Sequence, residues 1–111
     1  MQLVKVDKFQ IQQVFINLAL NALAALEQKG TALTIRTSHQ AGHIVVEFAD
    51  DGPGIRKPDL RKLFVPFFTT KEKGLGLGLS ISQRILASHK GNIEATSRWG
   101  HGGRFILRLP A

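Results

Sequence analysis

Residues 13–22 read Gln-Val-Phe-Ile-Asn-Leu-Ala-Leu-Asn-Ala, an apolar run that carries two asparagines four positions apart. The surrounding segment has helical periodicity, so Asn17 and Asn21 lie on one face of a predicted helix. The flanks of that helix are apolar as well, and a helix that is apolar over most of its circumference is normally buried. Two asparagines facing a cavity are candidates for holding a ligand, and amide oxygens are acceptable ligands of hard cations such as Mg²⁺. The alternative is a pair of asparagines satisfied within a polar network.

The predicted helix extends from residue 7 to about residue 28. Asp7 can cap its N-terminus, and Gln10 at the third helical position completes a pattern like a capping box. Lys29 and Gly30 are typical of a helix C-terminus. The polar side chains form one narrow stripe, which consists of Gln10, Gln13, Asn17, Asn21 and Gln28.

The rest of the chain alternates predicted strands and helices. Two β-prone runs at 33–37 and 44–49 flank an Ala41-Gly42 turn, which predicts a hairpin. They are followed by a short basic helix at 58–63, a loop at 64–75 and a second long helix from Gly76 to about His89, ended by Gly91. A second hairpin joins 92–97 to 104–109. We expect a single domain over 1–111, an α/β two-layer sandwich in which about three helices cover one face of a mixed, mainly antiparallel sheet.

The length of 111 residues suits one compact domain. With 43% hydrophobic and 21% charged residues, the chain has the composition of a soluble globular protein. The apolar runs are interrupted before the roughly 18–20 residues that a bilayer span needs, and residues 1–5 lack the layout of a signal peptide. Because cysteine is absent, disulfides and thiolate metal sites are excluded. We expect a cytoplasmic location.

Positive charge is concentrated in the second half of the chain. The net charge is +7. Residues 1–55 contribute 4 basic and 5 acidic groups, whereas residues 56–111 contribute 11 and 3. Such asymmetry favours an anionic partner, either nucleic acid, a phosphate ligand or an acidic protein face, and a merely solvated basic surface is the alternative.

Two glycine-bearing turns are candidate ligand sites. The run 74–78, Gly-Leu-Gly-Leu-Gly, lies at the start of the second long helix, where free backbone N–H groups and the helix dipole favour phosphate. It is neither a Rossmann fingerprint, because no strand directly precedes it, nor a Walker loop, because the Lys-Ser/Thr ending is missing. The run 50–54, Asp-Asp-Gly-Pro-Gly, ends an apolar strand, and a carboxylate there can accept a hydrogen bond from an exocyclic amine. Each turn taken alone is also compatible with a purely structural role.

The segments 13–21, 50–54, 64–68, 74–78 and 100–105 together resemble, in order and spacing, the sequence boxes of the ATP-binding domain of sensor histidine kinases. That domain has the Bergerat fold, which gyrase, the mismatch-repair ATPase and the heat-shock chaperone ATPase share. The resemblance covers essentially the whole chain, and five short motifs in register are far more specific than any one of them.

The resemblance implies roles for individual residues. Asn21 would coordinate Mg²⁺ shared with the nucleotide phosphates, Asn17 would lie near the phosphates and the metal, and Asp50 would accept a hydrogen bond from the adenine amino group. Gly52 and Gly54 would let the backbone pass the base. The implied catalytic residues are Asn17, Asn21 and Lys71, and the further implied ATP- or ADP-binding positions are Ile55, Phe68, Thr70, Lys71, Gly74, Leu75, Gly76, Leu77, Gly78 and Leu79.

Residues 63–71 resemble the phenylalanine box and the short lid of nitrogen-regulatory-type kinases. We expect 64–75 to be mobile without nucleotide and ordered with it, with Phe64, Phe67 and Phe68 as hinge and packing points.

Three positions depart from the family pattern. Ala24 stands where many members have Lys or Arg, so the cation that neutralises the phosphates would come from Lys71 or Lys73. Leu75 stands where Thr or Ser is usual, which removes a hydroxyl contact. Gly103 stands at the position of a frequent Thr in the last box, so a water bridge from a hydroxyl there to adenine is not expected.

Position 17 separates kinases from hydrolases within this fold. The hydrolytic relatives place a glutamate four residues before the metal-binding asparagine, as general base for water, and this chain has Asn17 there. A neutral amide is a poor proton acceptor. The resemblance therefore implies a domain that binds Mg-ATP and gives the γ-phosphoryl group to a histidine elsewhere, and a hydrolytic ATPase is the alternative.

The histidine that accepts the phosphoryl group is expected outside this chain. In the family it lies on a dimerising helical hairpin and is usually followed by an acidic residue, but none of His39, His43, His89 and His101 is followed by Asp or Glu. The implied partners are that hairpin and, indirectly, a response regulator. The domain itself is expected to be monomeric, without contact to a membrane or nucleic acid, and to belong to a cytoplasmic protein or to the cytoplasmic part of a membrane-bound sensor. A basic nucleic-acid-binding module is the alternative from charge, but the aromatic residues lie mainly where packing explains them.

Overall fold

The computed structural model describes residues 6–65 and 78–110, and within these ranges the chain forms three helices and four strands. The helices are α1 (Lys8–Gln28), α2 (Lys57–Leu60) and α3 (Gly78–Ser88). The strands are β1 (Leu33–Gln40), β2 (His43–Asp50), β3 (Asn92–Arg98) and β4 (Gly102–Pro110). The order of elements agrees with the order expected from the sequence, although α2 is shorter than the predicted helix at 58–63.

The four strands form one sheet in the order β1-β2-β4-β3. Every pairing within the described ranges is antiparallel. The mainly antiparallel sheet is therefore confirmed, but no parallel pair of the expected mixed sheet occurs in the described part of the chain. The first hairpin turns at Ala41 and Gly42, whose φ angles of 50° and 80° are both positive, as a type I′ hairpin turn requires.

Helices α1 and α3 pack against each other and against one face of the sheet. Val14 and Leu18 of α1, Leu86 of α3 and Leu107 of β4 lie at the centre of the core, each at most 1% exposed. Side chains alternate between the two faces along β4, so Phe105, Leu107 and Leu109 face the helices, whereas Arg104, Ile106 and Arg108 face outward. This arrangement is the two-layer sandwich that the sequence predicted.

The start of α1 is tied to the end of α3. The Oδ1 atom of Asp7 accepts a hydrogen bond from the backbone N–H of Gln10 at 3.0 Å, which confirms Asp7 as the N-cap. In a complete capping box the Gln10 side chain would accept from the Asp7 backbone N–H, but this N–H donates to Nε2 of His89 at 2.9 Å. Because His89 directly follows α3, this hydrogen bond joins the start of α1 to the end of α3 instead of closing the capping box within α1.

One side of α1 is less buried than its composition predicts. Phe9, Ile16, Leu20 and Leu23 are each more than half exposed, so the expectation of a helix buried over most of its circumference is wrong for this side. With a mean hydropathy of 1.3, the segment Lys8–Glu27 also has the length and composition of a membrane span, contrary to the expectation that every apolar run is too short. The opposite side of the same helix lies in the core, and core helices share this composition.

Helix α3 ends through Lys90, which has a φ of 62°, and the backbone N–H of Gly91 donates to the carbonyl oxygen of Leu86 at 2.8 Å. Gly91 was expected to end the helix, but the residue in the left-handed conformation is Lys90. Gly91 is needed for a different reason, because a Cβ atom there would collide with the carbonyl oxygen of Arg108.

Candidate functional site

A cavity of about 220 Å³ lies between α1, the end of β2, the start of α3 and the β3–β4 turn. Its lining combines apolar side chains with a few polar groups, the mixture typical of small-molecule sites. The lining residues are Asn21, Ala25, Asp50, Pro53, Gly54, Ile55, Arg56, Asp59, Leu63, Leu79, Trp99, Gly103 and Phe105.

Five of the residues predicted from the sequence line this cavity together, namely Asn21, Asp50, Gly54, Ile55 and Leu79. They come from three separate segments of the chain, which the packing of α1 and α3 against the sheet brings to one place. Three other predicted residues do not line the cavity, although they lie close to these segments. Gly52 lies between Asp50 and Gly54 in the sequence, Gly78 directly precedes Leu79, and Asn17 is hydrogen-bonded to Gly78.

The neighbouring carboxylates Asp50 and Asp51 have different roles. Asp50 lines the cavity and is half-buried, and its Oδ1 accepts a hydrogen bond from the backbone N–H of Gly52 at 2.9 Å. The Oδ1 of Asp51 instead accepts hydrogen bonds from the backbone N–H groups of Ala32 at 2.9 Å and Thr31 at 2.8 Å. These two hydrogen bonds, with that from Ala32 the stronger influence, lower the pKa of Asp51. Asp51 thus fastens the connection between α1 and β1, which leaves Asp50 for the cavity.

The glycines that follow Asp50 are required by contacts within the protein. Gly54 has a φ of +78°, and a Cβ atom there would lie 2.6 Å from the carbonyl oxygen of Arg98. A Cβ atom at Gly52 would lie 2.8 Å from Oδ1 of Asp50 and 3.1 Å from Cβ of Ala25. Both glycines were expected from the resemblance to let the backbone pass a base, and that role stays a prediction; the close approaches that the structure shows are to the chain itself.

The loop 53–56 is fastened to the β3–β4 turn by hydrogen bonds. The backbone N–H of Ile55 donates to Oγ of Ser97 at 2.5 Å, and that of Gly100 donates to the carbonyl oxygen of Pro53 at 2.6 Å. The Ser97 hydroxyl in turn donates to the carbonyl oxygen of Gly102 at 3.2 Å. This side of the cavity is therefore one connected unit.

Asn17 holds α3 against α1. Its Nδ2 donates to the carbonyl oxygen of Gly78 at 3.1 Å and to Oγ of Ser82 at 3.2 Å, and its Oδ1 accepts from Nε2 of Gln13 at 3.0 Å. Ser82 is fully buried, and its hydroxyl donates to the same Gly78 carbonyl at 2.8 Å. The two asparagines that the sequence places on one helix face therefore differ, since Asn17 belongs to a polar network and Asn21 lines the cavity.

The remaining predicted site residues lie outside the described residues, and they are Phe68, Thr70, Lys71, Gly74, Leu75, Gly76 and Leu77. Residues 66–75 of the expected lid lie outside them as well. Phe64, at the start of that lid, is described, and its partly buried side chain packs against the core. Of the second glycine box, the structure describes Gly78, the first residue of α3, and Leu79 next to it, whose buried side chain lines the cavity.

Sequence reasoning missed Arg56 and Trp99, which both line the cavity. The guanidinium carbon of Arg56 lies 4.8 Å from the ring centroid of Trp99, a cation–π contact. The available signal was a single tryptophan beside a glycine-rich turn. Nothing local in the sequence indicates that this turn lies against the loop 53–56, because that contact depends on the order of strands in the sheet.

The donor set fits a metal ion only in company with a ligand. Within 6–65 and 78–110 no group of three His, Cys, Asp or Glu could hold a metal ion. Asn21 lines the cavity, and its side chain carries an amide oxygen of the kind that binds hard cations. Mg²⁺ commonly takes most of its other ligands from nucleotide phosphates and water. The described residues therefore fit a magnesium ion that arrives with a phosphate ligand.

A second, shallower groove of about 410 Å³ lies on the outward face of the sheet, and its lining includes Arg36, Arg98 and Arg104. Arg104 forms an ion pair with Glu47, which also lines the groove, at 3.1 Å. The described lining residues include no aromatic side chain. Charges of both signs are thus interspersed, and the stacking platform that single-stranded nucleic acids use is missing from this part of the surface.

Comparison with known proteins gives consistent matches. A sequence model of the histidine kinase-, DNA gyrase B- and HSP90-like ATPase family matches residues 6–111. Sporulation kinase C of Bacillus subtilis is 42% identical over 104 residues, which cover 94% of this chain and 24% of that kinase. The catalytic domain of the histidine kinase ThkA superimposes with a TM-score of 0.84 at 37% identity, covering 96% of this chain and 70% of that one.

A further similar structure is full-length ShkA in complex with AMPPNP, with a TM-score of 0.81 at 27% identity, covering 91% of this chain and 21% of that one. The chain spans about a quarter or less of the length of the curated kinases that it matches.

Proposed function

Because the chain belongs to the histidine kinase-, DNA gyrase B- and HSP90-like ATPase family, we propose that it binds Mg-ATP in the cavity around Asp50 and Asn21 and donates the γ-phosphoryl group to a histidine on a separate helical domain. The similarity to sporulation kinase C and to ThkA supports kinase activity over the other activities of this family. The AMPPNP complex of ShkA supports an adenine nucleotide as the ligand.

The placement of Asp50 is the observation that carries this proposal. One carboxylate oxygen is fixed by the Gly52 backbone N–H, and the side chain lines an otherwise largely apolar cavity. The other oxygen, Oδ2, lies 3.7 Å from the position that a Cβ atom of Gly103 would take. It is an acceptor suited to the exocyclic amine of adenine, whereas guanine would present a carbonyl oxygen at that position and repel it. Hydrogen bonds to a charged acceptor are roughly twice as strong as neutral ones.

The residues around the phosphate end favour transfer over hydrolysis. Mg²⁺ supplies neutralisation of phosphate charge when it is bound with the nucleotide. The amide group of Asn17 is hydrogen-bonded to Gln13, Gly78 and Ser82, so this residue positions α3. A neutral amide does not act as the general base that would activate water. We assign the contact with Mg²⁺ to Asn21. The cation that neutralises the phosphate charge is assigned to Lys71 or Lys73 in the expected lid.

The proposed partners are a histidine-bearing dimerisation hairpin and, through it, a response regulator. Phosphoryl transfer requires an in-line nucleophile held close to the γ-phosphate. Because ATP is an intracellular metabolite, we propose that this domain lies in the cytoplasm, either in a cytoplasmic protein or in the cytoplasmic part of a membrane-bound sensor.

Calorimetric titration with ADP and GDP in the presence of Mg²⁺ tests the nucleotide assignment, and the adjacent aspartates provide a matched pair. Asp50→Asn should weaken ADP binding by about 1.5–3 kcal/mol and remove the preference for ADP over GDP, since the new amide adds donors that oppose the adenine amine. Asp51→Asn carries the same change one residue away and should keep that preference. Unchanged selectivity in the Asp50 variant would show that Asp50 has been misassigned.

Two further measurements, of DNA binding and of phosphate release, separate the alternatives. Binding to random DNA that falls steeply with salt, without any binding of ADP, would favour the basic nucleic-acid module. Steady release of inorganic phosphate by the isolated chain would favour a hydrolytic ATPase. The ion-paired outward face of the sheet gives the first of these little support.

A further inference from the structure

Trp99 is an exposed aromatic residue at a defined place. It is the single tryptophan of the chain, it is 56% exposed, and it lines the same cavity as Asp50. A large aromatic ring held in contact with water costs free energy that packing would recover. Its position at the rim of a ligand cavity therefore calls for a partner, which the bound ligand would provide.

The ring is held in place before any ligand arrives. The Arg56 guanidinium lies 4.8 Å from the ring centroid. The turn that carries the ring is fixed on two sides, because the Gly100 backbone N–H donates to the Pro53 carbonyl at 2.6 Å and Nζ of Lys29 donates to the Gly100 carbonyl at 2.5 Å. A preorganised aromatic surface loses little conformational freedom when a ligand stacks on it.

The hydrogen bond to Asp50 recognises one edge of the base, where the adenine amine exchanges a water partner for a protein partner. The faces of the base are recognised separately, through apolar and stacking contacts, because every base has a π-face that an aromatic side chain can cover. Gly103, on the strand that follows the turn, lines the cavity but has no side chain to place in it.

We propose that Trp99 is a nucleotide-binding residue of this chain. Its indole, which is in cation–π contact with Arg56, stacks on the adenine base, and Asp50 accepts a hydrogen bond from the amino group of that base. This inference rests on the proposed function. Asp50 distinguishes adenine from guanine and contributes to the affinity for adenine, whereas Trp99 contributes affinity for any purine.

The fluorescence of Trp99 provides a direct test, since no other tryptophan contributes. Titration of the full chain with ADP should change the emission with the same Kd that calorimetry gives, and bound ADP should protect the ring from quenching by acrylamide. Trp99→Ala should weaken ADP and adenosine by the same factor of about ten, which corresponds to 1.4 kcal/mol. Trp99→Phe should restore most of the affinity, and the ratio of ADP to GDP binding should be unchanged in both variants.

Phe9→Ala is the matched control, because Phe9 is also an exposed aromatic residue but does not line the cavity. It should bind ADP as the wild type does. Arg56→Ala should shift the emission of the free protein and weaken ADP by a smaller factor than Trp99→Ala, as expected of a positioning residue.

The outcomes distinguish this inference from the proposed function. If the wild type binds ADP while the emission stays constant and Trp99→Ala binds equally well, this inference is overturned and the proposed function stands. If Trp99→Ala weakens binding but Trp99→Phe does not restore it and the unfolding midpoint falls, Trp99 is structural and the inference is again overturned. Failure of the wild type to bind any adenine nucleotide overturns both.

Discussion

Asp51 is fixed by its backbone partners, and this makes the stability of the fold depend on acid pH. Its carboxylate accepts from Ala32 and Thr31, which lowers its pKa from the ordinary value of 3.8. A group whose pKa is lower in the folded state stabilises that state above the unfolded pKa, and this contribution is lost as the pH falls through the folded pKa. We expect the free energy of unfolding of the wild type to exceed that of Asp51→Asn at neutral pH.

That difference should shrink below pH 3.8, where the unfolded carboxylate becomes protonated. Urea unfolding of both proteins from neutral pH down to about pH 2 measures it. Asp7→Asn serves as a control, because the Asp7 carboxylate accepts from the single backbone N–H of Gln10. A difference between wild type and Asp51→Asn that is the same at every pH would contradict the argument.

Asn17 gives a second prediction at this scale, because its Nδ2 donates to Gly78 and Ser82. Asn17→Ala removes these donors and should cost about 1–2 kcal/mol of stability. Asn17→Asp keeps the size of the side chain but places an acceptor against the Gly78 carbonyl oxygen, so it should cost more, about 2–3 kcal/mol. Urea unfolding compares the two variants. Equal stability of Asn17→Asp and the wild type would show that the network around α3 does not depend on the amide.

At the scale of elements, α1 contains one buried and one exposed leucine, which can be compared directly. Leu18 is 0% exposed in the core, whereas Leu20 is 59% exposed on the outward side of the same helix. Leu18→Ala should destabilise the domain by about 2–5 kcal/mol through lost burial and a cavity, and Leu20→Ala by less than about 0.5 kcal/mol. Because both changes are leucine to alanine in one helix, helix propensity cancels from the comparison.

Unfolding in urea, monitored by circular dichroism, checks this pair. A loss at Leu20 as large as the loss at Leu18 would show that the outward side of α1 is buried in solution, for example against a second copy. Sedimentation at several concentrations would then identify that copy.

Sequence reasoning found the elements well and their contacts less well. Helix α1, its cap at Asp7 and the turn at Ala41 follow from local patterns, and all three are present. Burial of α1 was overestimated because periodicity shows which residues are apolar, not how much surface the rest of the fold covers. The hydrogen bond from the Asp7 backbone N–H to His89 was missed for the same reason, since it joins residues that are distant in sequence.

The candidate site shows the same division. Asp50 and Asn21 came from motifs and line one cavity. Their distinction from Asp51 and Asn17, which have the same chemistry and stand nearby in sequence, required the hydrogen-bond partners. Trp99 reaches the cavity because β4 lies between β2 and β3, and the strand order is a property of the whole sheet.

At the scale of the whole molecule, the four histidines of the chain are the candidate acceptors of the phosphoryl group that the proposed ATP site would transfer. His39 and His43 lie on β1 and β2, and His101 lies in the β3–β4 turn. His89 has both ring nitrogens engaged, with Nε2 accepting from the Asp7 backbone N–H and Nδ1 2.8 Å from the carbonyl oxygen of Ile85. None of the four is among the residues that line the cavity. An in-line attack on a γ-phosphate bound there therefore lacks a nucleophile from these side chains.

We therefore expect the isolated chain to bind Mg-ATP but neither to phosphorylate itself nor to release phosphate at an appreciable rate, because phosphoryl transfer needs a positioned nucleophile as well as neutralised charge. Radiolabelled ATP with this chain alone is the measurement. Adding the histidine-bearing hairpin of the same kinase in trans should produce an acid-labile phosphorylated hairpin. Asn21→Ala should abolish that product if Asn21 holds the metal with the nucleotide, whereas Leu20→Ala, one position away on the outward side of α1, should retain it. Stable label on any of the four histidines of this chain, or rapid release of inorganic phosphate, would mean that the acceptor or the reaction has been assigned wrongly.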